Sequence, residues 1–119
     1  METAVAYIRV SALMSVYNGE TYLAAALDSM LAELGPDDET IVVDDGSTDG
    51  TSAILARYDG RITVLVQPNS GVARALNRAL GVARGAFIAF NDADDLWEPG
   101  RVERQLAALR NDSLLEAVF

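Results

Sequence analysis

The chain has no cysteine and no histidine, and its nine positive charges are all arginine, so lysine is absent as well. Without cysteine there is no disulfide framework, thiolate nucleophile or zinc–cysteine site. Without histidine there is no Ser-His-Asp triad and no imidazole metal ligand. Without lysine there is no Walker lysine and no Schiff base. Carboxylates, hydroxyls, guanidinium groups and backbone remain, and such hard oxygen donors suit Mg²⁺ or Mn²⁺. Long apolar runs are missing too: none approaches the roughly 18 residues of a membrane span, and Glu2 stands where a signal peptide wants positive charge. The expectation is a cytoplasmic protein. Basic surface is also scarce. A net charge of −9 argues against nucleic acid as a partner and against a bare polyanion substrate, because phosphate binding needs cations that release counterions.

What the chain does have is enough apolar residue, half of its 119, for one core and one domain spanning residues 1–119. It also has two acidic clusters, Asp44-Asp45 and Asp92-Ala93-Asp94-Asp95, each just after an apolar run that reads as a buried strand. Carboxylates gathered at strand ends repel one another unless a cation or hydrogen-bond donors sit among them, so the pattern points to a divalent-metal and polar-ligand site.

Short β-branched or aromatic runs at Val10 to Val16, Thr40 to Val43, Ile62 to Val66 and Ala86 to Phe90 read as four strands. Between the first two, Tyr22, Leu23, Ala26, Leu27, Met30, Leu31 and Leu34 recur at helical spacing until Gly35-Pro36. A shorter stripe, Thr51, Ile54, Leu55 and Tyr58, follows the cap candidates Ser47, Thr48 and Asp49 and closes near Gly60. Val72, Leu76, Ala79, Leu80 and Ala83 make a third helix, with Arg84 expected in its last turn and Gly85 at C′. Pro99 is placed to start a fourth, carrying Val102, Leu106 and Leu109.

Alternating strand and helix calls for an α/β fold, a Rossmann-like open and mainly parallel sheet with right-handed crossovers and helices on both faces. Ligands of such sheets bind outside the carboxyl ends of the strands, where Tyr17-Asn18-Gly19, Asp44-Asp45-Gly46 and Asn91-Asp92-Ala93-Asp94 all fall. The last residues, Leu114, Leu115, Ala117, Val118 and Phe119, read as a further strand that stops as it begins, so the chain is expected to be cut short of its natural domain. An open sheet edge past Phe90 would follow, with self-association to form a homo-oligomer as one remedy.

The segments VSALMSVYNGETYLAAALDSML, IVVDDGSTDGT and NSGVARALNRALGVARGAFIAFNDADDLWEPGRV resemble, in order and spacing, the nucleotide-binding half of a family 2 glycosyltransferase of GT-A fold. The resemblance implies an inverting enzyme of cell-surface polysaccharide biosynthesis. Its donor would be a nucleotide-diphospho-sugar, a UDP-sugar first, and its acceptor a sugar or lipid-linked hydroxyl. Such an enzyme would be cytoplasmic or peripheral at the inner face of the membrane. By the same resemblance Ser15 and Tyr17 line the base, with Asp45 the first choice for its polar edge and Asp44 the second. Asp94 of the Asp-X-Asp segment would ligate Mn²⁺ or Mg²⁺ directly, and Asp92 would act through the ribose or through water. A carboxylate accepts a hydrogen bond from an imide N–H while a Tyr ring offers an apolar face. If the acidic segment is extended, Asp92 and Asp94 share a face.

The third helix departs from the family pattern at Leu76, where many members carry Arg. Arg74 lies near enough to substitute, and Arg74 and Arg78 also read as a solvated helix face. Trp97 and Pro99 read as anchors of the last helix. The catalytic base is not identified: Asp95, Glu98 and Glu103 lie close to the metal segment, and the half that carries the base in family members would follow it. The alternative function is therefore a non-catalytic module that binds nucleotide diphosphate and metal. An acidic signalling receiver of flavodoxin-like fold is disfavoured, since the acidic pair follows the second strand and no lysine is present.

Overall fold

The computed structural model describes residues 7–111, so the apolar run Leu114 to Phe119, expected as a further strand, lies outside the described residues. Four parallel strands, β1 (Val10–Val16), β2 (Glu39–Asp44), β3 (Thr63–Val66) and β4 (Phe87–Phe90), form one sheet in the order β3-β2-β1-β4. Helices α1 (Leu23–Glu33), α2 (Thr51–Ala56), α3 (Val72–Val82) and α4 (Arg101–Asn111) alternate with them. This is the expected α/β Rossmann-like arrangement. Among the described residues no helix is long and apolar enough to cross a membrane.

Strand alternation sorts the core into two layers. Val10, Ala12, Met14 and Val16 of β1 and Val42 of β2 face α1, α2 and α4, meeting Leu23, Leu27, Met30, Ile54, Leu55 and Leu106. Leu13, Ile41 and Val43 face the other way, onto Ala75 and Ala79 of α3. Leu23, Leu27 and Met30 are fully buried, and each contributes roughly 1.5–3 kcal/mol by leaving water, which fixes α1 against the sheet. Helix α3 departs from the expected stripe. Val72 and Leu80 are exposed, and the alanines one turn apart do the packing because small side chains let the helix lie close to the strands. Tyr22, read as part of the α1 stripe, is the exposed N-cap residue of that helix.

Helix α3 stops at Val82, and its C-cap Ala83 is extended (φ −67°, ψ 138°), so neither Arg84 nor Gly85 has the capping place expected of it. Gly85 is needed for a close approach. A Cβ there would stand 2.5 Å from the Ser11 backbone nitrogen, and the Gly85 N–H donates to Ser11 Oγ at 2.8 Å. Ser11 in turn donates to Glu39, which also accepts from the Arg84 N–H at 2.7 Å. Burial opposes ionisation of Glu39, but the bonds from Ser11 and Arg84 outweigh it and hold its carboxyl below the ordinary value. On the α4 side, Arg9 pairs with Asp38 at 2.8 Å and with Glu103 at 2.7 Å. Arg9, Asp38, Glu39 and Arg84 at the amino ends of β1 and β2 thus carry paired charges.

The crossovers through α1 and α2 run toward β3, whereas α3 carries the chain back over the opposite face to β4. The direction of winding therefore reverses between β1 and β4. In open α/β sheets the crevice beyond the carboxyl ends of the strands at such a reversal is where ligands bind. β4 forms the outer edge on that side, with Ile88 and Phe90 exposed.

Candidate donor-nucleotide and metal site

Sheet register decides which rim residues can meet. Ser15 pairs with Val43 and Val16 with Asp44, and the ladder continues through the Asp45 N–H donating to the Val16 carbonyl at 2.8 Å. Ser15 and Asp45 consequently share the α3 face of the rim, while Tyr17 stands exposed in the bend that follows β1. Asp44 points to the opposite face. It lines a cavity of about 460 Å³ between α2 and β3, with Ser52, Leu55, Asp59, Val64 and Val66. Of the four residues read as base-contacting, Ser15 and Asp45 therefore lie on one face, Asp44 lies on the other, and Tyr17 is exposed just beyond the end of β1.

Asp45 is nearly buried and anchors the turn into α3. Its Oδ1 accepts from Gln67 Nε2 (2.9 Å) and from the Ser70 N–H (2.8 Å), and its Oδ2 accepts from the Gly71 N–H (2.9 Å). The Gln67 bond first, then the Ser70 and Gly71 N–H groups, hold its carboxyl below the ordinary value against the opposing effect of desolvation. A carboxylate offers about four acceptor positions, so about one remains for a ligand. Gly46 follows with φ +81°, and a Cβ there would stand 2.6 Å from the Asn69 backbone nitrogen, so the turn after Asp45 needs glycine twice over. Gln67, Ser70 and Gly71 carry no local motif that marks them as partners of Asp45. Their signal is visible only after folding, because they reach Asp45 across more than twenty residues of chain.

At the end of β4 the acidic segment is a turn, not the extended stretch expected: the Asp95 N–H donates to the Asp92 carbonyl at 3.1 Å. Buried Asn91 holds this turn, donating its backbone N–H to the Leu13 carbonyl and its side-chain amide to the Asp95 carbonyl. The turn gathers a third carboxylate. Asp92, Asp94 and Asp95 each place one oxygen within 4.8 Å of the others, all solvent-exposed. Oxygens sharing one Mg²⁺-sized ion at about 2.1 Å can lie at most about 4.2 Å apart, so a small side-chain rotation suffices to close the set. None of the described ion pairs touches these carboxylates; Arg9, Arg84 and Arg104 are spent elsewhere. Three like charges without a cation fit a divalent metal with oxygen ligands.

The two loops flanking the reversal point adjoin, since a Cβ at Gly19 would lie 3.9 Å from Ala93 Cβ. On α3, Arg74 and Asn77 are exposed, Leu76 packs against the sheet, and Arg78 donates to the Val66 carbonyl at 2.7 Å. Trp97 is buried among α1 and α4 residues, donates its backbone N–H to Ser29 Oγ at 3.0 Å, and lies under Arg101. Its anchoring role is as expected. Glu103 binds Arg9 at the far end of the strands, and Glu98 lies 3.9 Å from Arg104, so neither is gathered into the acidic cluster.

Comparison with known proteins agrees with this geometry. The profile described as glycosyl transferase family 2 matches residues 11–115. TuaG of Bacillus subtilis (strain 168), a glycosyltransferase named for teichuronic acid biosynthesis, is 44% identical over 101 residues, covering 82% of this chain and 40% of TuaG. The crystal structure of S. aureus TarS 1-349 in complex with UDP-GlcNAc superposes with a TM-score of 0.77 at 31% identity, covering 87% of this chain and 32% of that one. The mannosyltransferase PcManGT from Pyrobaculum calidifontis, in complex with GDP-Man and Mn²⁺, superposes with a TM-score of 0.79 at 30% identity, covering 87% and 32%. The chain spans between 29% and 40% of the length of the first curated relatives it matches. With a match over nearly the whole chain and a GT-A-like sheet carrying the acidic segment at its rim, this chain belongs to glycosyl transferase family 2.

Proposed function

We propose that the chain is the donor-binding part of an inverting glycosyltransferase that takes a UDP-sugar with Mn²⁺ or Mg²⁺ and delivers the sugar to an acceptor hydroxyl in cell-surface polysaccharide biosynthesis, at the cytoplasmic side of the membrane. The observation that carries the reading is the uncompensated carboxylate trio at the β1/β4 reversal. An acidic rim repels a diphosphate, and a cation among the carboxylates turns that repulsion into attraction. The bound metal would neutralise the negative charge that grows on the departing nucleotide. Asp94 is the direct ligand, Asp92 the contact to ribose or to metal-bound water, and Asp95 joins them through the turn.

Tyr17 offers its ring to the base, Ser15 a hydroxyl beside it, and Asp45 its last acceptor position to the base N–H. Asp44, on the other face, becomes a support of the following turn through its bond from the Ser47 N–H (3.0 Å). That relatives of known structure hold UDP-GlcNAc, or GDP-Man with Mn²⁺, supports a nucleotide-diphospho-sugar as ligand. Calorimetric titration with UDP and GDP, with and without Mn²⁺, tests the reading. UDP uptake should strengthen at least about tenfold with Mn²⁺, one such step being about 1.4 kcal/mol. No uptake of either nucleotide under any condition would overturn it.

A second reading is favoured by one observation: among the described residues neither Glu98 nor Glu103 adjoins the carboxylate trio as a base. In that reading the chain binds nucleotide diphosphate and metal without transferring sugar. Incubation with UDP-sugars, Mn²⁺ and a panel of acceptors separates the two, since clear UDP binding with no glycosylated product favours the module.

A further inference from the structure

Six hydrogen bonds tie the loop after β2 to the loop after β1. The Asn18 N–H donates to Ser47 Oγ (2.9 Å), and Asn18 Oδ1 accepts from the Thr48 N–H (2.7 Å) and, more weakly, from its hydroxyl (3.4 Å). The Gly19 N–H donates to Thr51 Oγ1 (2.9 Å), the Glu20 N–H to Asp49 Oδ2 (3.2 Å), and the Gly50 N–H to Glu20 Oε2 (2.8 Å). None of these side chains is proposed to touch the nucleotide, yet they bracket the residue that follows Tyr17.

Tyr17 is 52% exposed, so packing does not aim its ring. The backbone does. Asn18 has φ 51°, the one positive φ among described non-glycine residues, which costs about 1–2 kcal/mol and persists only where neighbours over-determine it. Thr51 is the pivot. It is fully buried, accepts from the Gly19 N–H, and donates its own proton to Asp49 Oδ1 at 2.6 Å. A hydroxyl can do both at once. The Thr51 bonds come first among the causes that hold the Asp49 carboxyl below its ordinary value.

We infer that Thr51 and Asn18 are positioning residues of the donor site, fixing the Asn18–Glu20 backbone so that Tyr17 presents its ring to the rim face that Ser15 and Asp45 share. This rests on the donor-site reading above. The clasp acts on the base and not on the metal, because it bonds the β1 loop and leaves the Asp92–Asp95 turn untouched.

The test uses the full chain labelled with fluorotyrosine and titrated with uridine and with UDP, with and without Mn²⁺. Thr51→Val keeps the shape and removes the hydroxyl, leaving the Gly19 N–H without a partner. Losing the two hydroxyl bonds should weaken uridine and UDP alike, by about tenfold. The strengthening of UDP by Mn²⁺ should keep its ratio, and the Tyr17 fluorine signal should shift or broaden. Thr51→Ser, which restores both bonds, should bind within about twofold of the unmodified protein and return the signal. If Thr51→Val does not fold, Asn18→Gly serves, since glycine permits the positive φ and the change removes the two Oδ1 bonds to Thr48; the same pattern is expected.

A folded Thr51→Val or Asn18→Gly protein that binds uridine normally overturns the inference. So does a Thr51→Ser protein as impaired as the valine variant, or a loss confined to the Mn²⁺ ratio. Tyr17→Ala separates this from the donor reading. If Tyr17→Ala loses binding while Thr51→Val does not, only the inference falls, and if the unmodified protein binds neither UDP nor uridine, both fall.

Discussion

Asp94→Ala is expected to remove the Mn²⁺-dependent part of UDP binding, lowering affinity in Mn²⁺ by about a hundredfold or more. Such a loss equals about 2.8 kcal/mol, well within what a metal contributes to holding a diphosphate. The same substitution should leave thermal unfolding unchanged or slightly raised. Asp94 is exposed and, among the described residues, accepts no side-chain hydrogen bond, and removing one of three like charges within 4.8 Å relieves repulsion in the metal-free protein. Lost binding without lost stability sets a ligand apart from a structural residue. Calorimetry in Mn²⁺ and in EDTA, with a melting curve for each protein, reads both. Equal affinities for the two proteins in Mn²⁺ would mean that Asp94 holds no metal.

Arg9→Met should cost about 2–3 kcal/mol of stability at neutral pH, below the 3–5 kcal/mol typical of breaking a buried pair, because Asp38 keeps other donors. The Asp38 side chain is 1% exposed and also accepts from the Gly35 N–H at 2.8 Å and the Val10 N–H at 3.2 Å. The Glu103 arm adds little, since that side chain is 63% exposed and screened by water. Burial pushes against ionisation of Asp38, and the bonds from Arg9, Gly35 and Val10 outweigh it, so its carboxyl lies below the ordinary value. A depressed carboxyl contributes stability that is fully present above its unfolded value and is lost as pH falls through the folded one. The gap between variant and unmodified protein should therefore be widest at neutral pH, narrow as pH falls through the carboxylate range, and close only below the depressed folded value, where both proteins carry a protonated Asp38. Urea unfolding across that range measures it. A gap that stays constant to acid pH would show that Arg9 acts through packing of its stem and not through its charge.

The strands were legible because their residues are β-branched and short in run, and the placement of the three polar clusters on one rim followed from the parallel topology. The buried face of α3 was less so. Larger apolar residues at Val72 and Leu80 outweigh the alanines in any periodic reading, whereas close helix–sheet packing favours Ala75 and Ala79. Adjacent residues on a strand face opposite ways, so the separation of Asp44 from Asp45 was available in principle from alternation alone. It needed the register of β2 on β1 to say which of them lies on the face of Ser15. The extended form expected for Asp92-Ala93-Asp94 gave way to a turn held by Asn91, which is what adds Asp95 to the cluster. The loop clasp was beyond the sequence. Ser47, Thr48 and Asp49 read as cap candidates for α2, yet the N-cap is Gly50. Ser47 and Thr48 bond across to Asn18, and Asp49 serves both Thr51 at the start of α2 and the Glu20 N–H of the other loop.

The arrangement as a whole separates two ends of one sheet: paired charges at the amino ends of the strands, unpaired carboxylates at the carboxyl ends. Backbone NMR spectra recorded with UDP present, as Mn²⁺ is added in substoichiometric steps, test that division most directly, since the paramagnetic ion broadens signals from nearby amides. Signals from residues 15–18, 45–46 and 91–96 should fade first and only when UDP accompanies the metal, while Arg9, Asp38, Glu39 and Arg84 keep theirs. Broadening spread evenly over both ends of the sheet, or unaffected by UDP, would contradict a shared metal and nucleotide site at the β1/β4 rim.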